Sequence, residues 1–114
     1  MLSPKTPFIK DLLPEKFKTW KFIIPDDITE PLDVSGMTDI NIQLASSAGM
    51  DTNVLSLDEH HVLVNKRALG VKACLEKNGF DVIEVELDNG EIFGGGIHCS
   101  TLDLIRDDEY IYYA

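Results

Sequence analysis

NVLSLDEHHVLVNKRALGVKACLEKNGFDVIEVEL, residues 53–87, decides the fold class of this chain. Asn53–Leu57 and His60–Asn65 are strand-like runs on either side of Asp58-Glu59, the arrangement of a tight hairpin. Lys66–Asn78 then changes period: Ala68, Val71 and Leu75 recur at helical spacing on one stripe, and Gly79 stands where a left-handed C-terminal cap is favoured. Asp81–Leu87 returns to a period of two, with Ile83, Val85 and Leu87 opposite Glu84 and Glu86. That alternation predicts a strand with one buried and one wet face. Strand, strand, helix, strand is the order of an α/β unit.

Upstream, Trp20, Phe22 and Ile24 alternate within Thr19–Ile24 and predict a half-buried strand that Pro25-Asp26-Asp27 stops. Residues 28–38 are rich in turn formers, Pro31, Asp33, Ser35 and Gly36 among them, before Ile40, Ile42 and Leu44 mark a second strand over Asp39–Leu44. A loop then holds Ser46, Ser47 and Gly49. Residues 1–18, punctuated by Pro4, Pro7 and Pro14, read as an irregular lead-in with a turn of helix, leaving 19–114 as the folded part. Downstream, Asp88-Asn89-Gly90 makes a turn, Gly94-Gly95-Gly96 a flexible run, and Cys99–Ile105 returns to alternating apolar character as a strand. An acidic patch, Asp107-Asp108-Glu109, precedes Tyr110-Ile111-Tyr112-Tyr113.

With 114 residues, 44% of them hydrophobic, the chain is the size of one small domain that buries a core without disulfide staples. Its formal net charge of -10 repels phosphate backbones and anionic membrane surfaces, so neither nucleic acid nor membrane is expected as a partner. The opening residues Met1–Lys5 lead into neither a signal core nor a long apolar run, which makes the cytoplasm the expected location. Cys74 and Cys99 have neither metal-ligand spacing nor the pattern of a secreted disulfide framework. They are expected as free thiols, and no metal or cofactor is expected.

The segment that carries chemistry is FGGGIHCSTLDLIR, residues 93–106. Glycines allow positive φ and close approach of backbone to a ligand, so a planar guanidinium could lie against this loop without meeting a Cβ. A thiol beyond such a loop suits attack on a guanidinium carbon, because sulfur is intrinsically nucleophilic and a covalent intermediate divides the substitution into two steps. From spacing alone, the plainer reading is a loop followed by an inert buried thiol.

The same segment resembles the C-terminal signature of arginine:glycine and inosamine-phosphate amidinotransferases, in Gly94, Gly95, Gly96, Ile97, His98, Cys99, Thr101, Leu102 and Asp103, with Arg106 at a basic position. The resemblance extends without a gap back to Asn53, through residues 74–87 and the hairpin at 53–65, and more weakly to residues 13–27. It implies a partial pentein, an α/β propeller of which this chain would supply one or two ββαβ-type modules. It also implies that Cys99 is the nucleophile taking the amidino group from a guanidino donor such as arginine for an amine acceptor. Ser46 and Ser47 fall where the family contacts the donor, although residues 28–40 look like an insertion and Gly49 replaces a usual tryptophan. A turn role, hydrogen-bonded to their own backbone, fits these serines equally well.

The resemblance also implies what the chain lacks. The family's acid-base histidine and guanidinium-gripping aspartates lie in earlier modules, and loss of a positioned acid removes roughly 10²-fold or more from such a reaction. His60 and His61 read as strand-edge residues, His98 as support behind the site, and Cys74 as a small buried hydrophobe. Independent catalysis is therefore in question. Three function classes stand: a segment of an amidinotransferase incomplete alone, an arginine or agmatine deiminase-like guanidino hydrolase, and a non-catalytic remnant serving as an interaction module. A module taken out of a propeller exposes faces its neighbours would cover, so a homo-oligomer or a complementary chain is expected.

Overall fold

A computed structural model describes residues 9–28, 50–88, 90, 94–105 and 107. The lead-in contains two one-turn helices, α1 (Ile9–Leu12) and α2 (Glu15–Lys18). A 3-10 turn at Met50–Thr52 then leads into β1 (Leu55–Ser56), β2 (His61–Asn65), α3 (Leu69–Lys77) and β3 (Asp81–Val85). The order strand, strand, helix, strand predicted from residues 53–87 is the order observed, in a small mixed α/β unit.

The three strands lie in the order β1-β2-β3. β1 pairs antiparallel with β2, Leu55 opposite Leu63 and Ser56 opposite Val62. β2 pairs parallel with β3 from His61 opposite Asp81 to Asn65 opposite Val85. Parallel neighbours need a crossover, and α3 supplies it. The hairpin loop is tied by Asp58: its Oδ1 accepts the backbone N–H groups of His60 at 2.7 Å and His61 at 2.8 Å, and Ser56 Oγ donates to the Asp58 carbonyl at 2.8 Å. An aspartate that accepts from the backbone two and three residues on makes an Asx-type turn. The second strand accordingly begins at His61, one residue later than the alternation indicates.

The helix ends as its glycine demands. Gly79 has φ of 89°, its N–H bonds to the Glu76 carbonyl at 3.0 Å, and the Phe80 N–H reaches back to the Leu75 carbonyl at 3.2 Å. These are the two bonds of a Schellman motif, which satisfy carbonyls that the helix end leaves open. Phe80 packs against the core cluster that contains Leu75, giving the apolar contact that accompanies this cap.

The predicted stripe Ala68, Val71 and Leu75 is buried, and it meets Val62, Val64 and the more exposed Val82 from the sheet, with Ile28 closing the cluster. Because side chains alternate along a strand, Val62, Val64 and Val82 share the face under α3. Leu57, Leu63, Ile83 and Val85 then point the other way. This corrects the expectation for β3: the helix covers the face of Val82 and Glu84, while Ile83 is 42% exposed and Val85 half-buried. Glu84 reaches the helix as the ion-pair partner of Lys72 at its margin. The pair raises the Lys72 ammonium above its ordinary pKa and lowers the Glu84 carboxyl, chiefly through the hydrogen bond between them.

Two other expectations are corrected. Thr19–Ile24 forms no strand: Phe22, Ile23 and Ile24 are half-buried in succession, the following Pro25 is fully buried, and Trp20 is 49% exposed. The segment runs along α3 instead of joining the sheet, with the Cys74 thiol 3.6 Å from the Ile24 carbonyl. Alternation marks a chain able to form a strand, but a strand also needs a free edge to pair with, and this stretch lies against a helix. Cys99–Ile105 is likewise not a strand, because Cys99 sits in a 3-10 turn, His98–Ser100, and Leu102, Leu104 and Ile105 are all more than 80% exposed. The strand expected over 39–44 lies outside the described residues. Among the described residues no helix is long and apolar enough to cross a membrane.

Candidate functional site

The glycine run folds back on the turn that precedes it and presents the cysteine beyond it. Gly94 adopts φ of 71°, a conformation side chains disfavour, and the Gly95 N–H closes onto the Gly90 carbonyl at 2.9 Å. Gly96 lies against Asn53 so closely that a Cβ on it would stand 2.6 Å from the Asn53 Cβ. The chain then turns through His98–Ser100, closed by Ser100 N–H to the Gly96 and Ile97 carbonyls at 3.2 Å each. Ile97 beneath it is buried at 5% exposure, which anchors the turn while Cys99 stays exposed.

Cys99 opens onto a cavity of about 520 Å³ whose wall includes Glu86, Asp88, Ser100 and the Gly94-Gly95 backbone. Glu86 and Asp88 follow directly on β3, so the chain leaving this strand forms part of the cavity wall that Cys99 shares. Lys66 Nζ stands 3.8 Å from Glu86 Oε2 between largely exposed side chains, a separation at which water screens most of the attraction. A thiol that shares an open cavity with acidic residues can receive a small cation and attack it.

Asn53 holds the Cys99 turn from the other side. Its Oδ1 accepts the Cys99 N–H at 3.0 Å, its Nδ2 donates to Cys99 Sγ at 3.3 Å, and its carbonyl accepts the His98 N–H at 3.2 Å. Sequence reasoning missed Asn53, Glu86 and Asp88. Nothing in spacing connects residue 53 with residue 99, and Glu86 read as the wet face of a strand.

The remaining candidates separate cleanly. Ser46, Ser47 and Arg106 lie outside the described residues. His98 is exposed in the 3-10 turn, which corrects its reading as packed support: strand alternation does not govern a turn. His61 is occupied at the hairpin, its Nδ1 2.7 Å from Asp58 Oδ2 and its Nε2 3.9 Å from Asp81 Oδ2, and neither it nor His60 lines the cavity. Cys74 is half-buried on α3, away from Cys99 in setting and exposure. Among the described residues no three His, Cys, Asp or Glu side chains group as a metal site.

No family model matches the sequence. Similarity to individual proteins is nevertheless extensive. The chain is 29% identical over 96 residues to inosamine-phosphate amidinotransferase 1 of Streptomyces glaucescens, covering 84% of this chain and 26% of that protein. It is 31% identical over 94 residues to L-arginine:L-lysine amidinotransferase of Pseudomonas savastanoi pv. phaseolicola, covering 82% and 24% respectively. Over 61 residues it is 38% identical to the mitochondrial glycine amidinotransferase of Xenopus tropicalis, covering 54% and 14%. Among solved structures, SxtG, an amidinotransferase from Microseira wollei in the saxitoxin biosynthetic pathway, superposes with a TM-score of 0.72 at 25% identity, over 99% of this chain and 31% of its own. Inosamine-phosphate amidinotransferase StrB1 from Streptomyces griseus shares the fold with a TM-score of 0.65 at 23% identity, over 89% and 27%. The chain spans between about a seventh and a third of the length of these proteins. Sequence and fold together relate this chain to the amidinotransferases, as the counterpart of one segment of those longer proteins.

Proposed function

We propose that this chain is the nucleophile-bearing segment of an amidinotransferase, one or two modules of a pentein propeller, and that it is incomplete as a catalyst by itself. The observation that carries the reading is Cys99, an exposed thiol on a glycine-flanked turn, sharing one cavity with Glu86 and Asp88. In the reaction, the Cys99 thiolate forms an S–C bond to the guanidino carbon of a donor such as arginine. The C–N bond to the departing amine breaks and that nitrogen takes a proton. An acceptor amine then attacks the same carbon, the S–C bond breaks, the acceptor loses a proton and the thiolate is restored. Glu86 and Asp88 draw the cationic donor toward sulfur; the acid-base group and a full guanidinium clamp come from elsewhere, in a complementary chain or a further segment. The relatives, amidinotransferases themselves, favour transfer to an amine over hydrolysis.

The test compares two small electrophiles, cationic 2-chloroacetamidine and neutral 2-chloroacetamide, at both cysteines. Cys99 is expected to prefer the cation over the neutral reagent by several-fold more than Cys74 does, with the preference reduced in Glu86→Gln and Asp88→Asn. Equal preferences at both cysteines would sink the guanidino reading. The partly exposed sheet face around Ile83 and Leu57 favours a second reading, a non-catalytic interaction module. That reading gains if Cys99 shows no preference while the chain still associates.

A further inference from the structure

Asn53 and Cys99 stand 46 residues apart in the chain, yet the asparagine amide engages the cysteine with both its ends. The Cys99 backbone N–H can only donate, so the amide end facing it, 3.0 Å away, is the oxygen. That assignment directs the NH₂ group at Sγ, 3.3 Å away. The contact is built into the backbone as well: the Asn53 carbonyl takes the His98 N–H at 3.2 Å, the Asn53 N–H bonds to the Met50 carbonyl at 2.9 Å, and Gly96 leaves the space that the Asn53 Cβ occupies. A donor aimed at sulfur binds a thiolate more strongly than a thiol, because hydrogen bonds to an ionised acceptor are roughly twice as strong as neutral ones. We propose that Asn53 is the positioning residue of Cys99, fixing the turn through its Oδ1 and holding the reactive thiolate through its NH₂ group. The assignment rests on the reading of Cys99 as the nucleophile.

The experiment follows Cys99 alkylation by iodoacetamide against pH, read by peptide mass spectrometry in the native chain, Asn53→Asp and Asn53→Ala. Aspartate keeps an acceptor for the Cys99 N–H, and so keeps the turn, but exchanges the donor for a negative charge beside sulfur. Its profile is expected to move to higher pH, with alkylation at neutral pH about tenfold slower. Alanine loses both contacts: its high-pH plateau rises as the turn loosens, while the profile still moves upward. A purely structural role would change the plateau and leave the position of the profile unmoved. An Asn53→Ala profile that coincides in position with that of the native chain overturns the proposal, since a carboxylate beside sulfur moves the Asn53→Asp profile whatever the native amide does. Cys74 labelling in the same digests reports folding, and if aspartate unfolds the chain the alanine comparison decides. Alkylation needs no guanidino donor, so the two readings fail separately. Loss of the cationic-reagent preference with the profile shift intact removes the guanidino reading and leaves Asn53 as partner of a thiol that serves another substrate.

Discussion

The Asp27 carbonyl occupies the space that a Cβ on Gly70 would need, so the segment before the core lies directly on the second turn-forming residue of α3. Ile28, which follows Asp27, is one of the buried members of the core. Alanine is the better helix former by about 1 kcal/mol, and in an open helix the exchange would stabilise. Here the intruding atom is backbone, and overpacking of this kind typically costs about 1–3 kcal/mol. Gly70→Ala is therefore expected to be net destabilising, measured as a lower midpoint in urea unfolding; an unchanged or higher midpoint would show that the 22–28 segment is not held against α3.

The two thiols should differ in reactivity. Cys99 is exposed at the cavity mouth, while Cys74 is half-buried with its sulfur toward the Ile24 carbonyl at 3.6 Å. Limited alkylation followed by peptide mapping is expected to label Cys99 first, and unfolding in denaturant should remove the difference. Faster labelling of Cys74 in the folded chain would contradict Cys99 as a presented thiol.

Asp58 links the hairpin to pH. Backbone hydrogen bonds from His60 and His61, with help from the His61 side chain, hold its carboxyl down from 3.8 to about 2. A carboxyl lowered in the folded state contributes stability that is fully present above its unfolded value, near pH 4, and is lost as pH falls toward 2. Asp58→Asn is expected to flatten the fall in stability between those limits relative to the native chain, while Asp58→Ala lowers stability near neutral pH by removing the turn acceptor. Superimposable stability curves for the native chain and Asp58→Asn from pH 4 to 2 would contradict the role.

The face of the sheet opposite α3 carries Ile83 at 42% and Leu57 at 45% exposure, beside half-buried Leu63 and Val85 and a buried Leu55. Apolar burial is worth about 25 cal/mol per Å², so covering even a few hundred Å² favours association, and the net charge of -10 works against indiscriminate aggregation. Light scattering is expected to find a specific oligomer that Ile83→Lys shifts toward monomer without unfolding. A native chain that stays monomeric at high concentration ends the self-association claim.

Residues 53–87 were legible because each element there answers to a local rule: the hairpin to Asp58, the stripe Ala68, Val71 and Leu75 to the helical period, and the helix stop to Gly79. Local rules act between residues a few positions apart, and sequence displays those directly. The exposure of Cys99 was legible from its neighbours Gly94–Gly96, although the turn that presents it departs from the strand expected over Cys99–Ile105. What the sequence could not determine was which side of β3 the helix would cover, since both Val82 and Ile83 are apolar and alternation names two faces without choosing between them. Nor could it join Asn53 to Cys99, or set Glu86 and Asp88 in the wall of the cavity that Cys99 lines. Those meetings depend on the parallel pairing of β2 with β3 and on the path of the chain back to the start of the hairpin. Contacts between distant residues are set by how elements pack, and only the tertiary structure contains that.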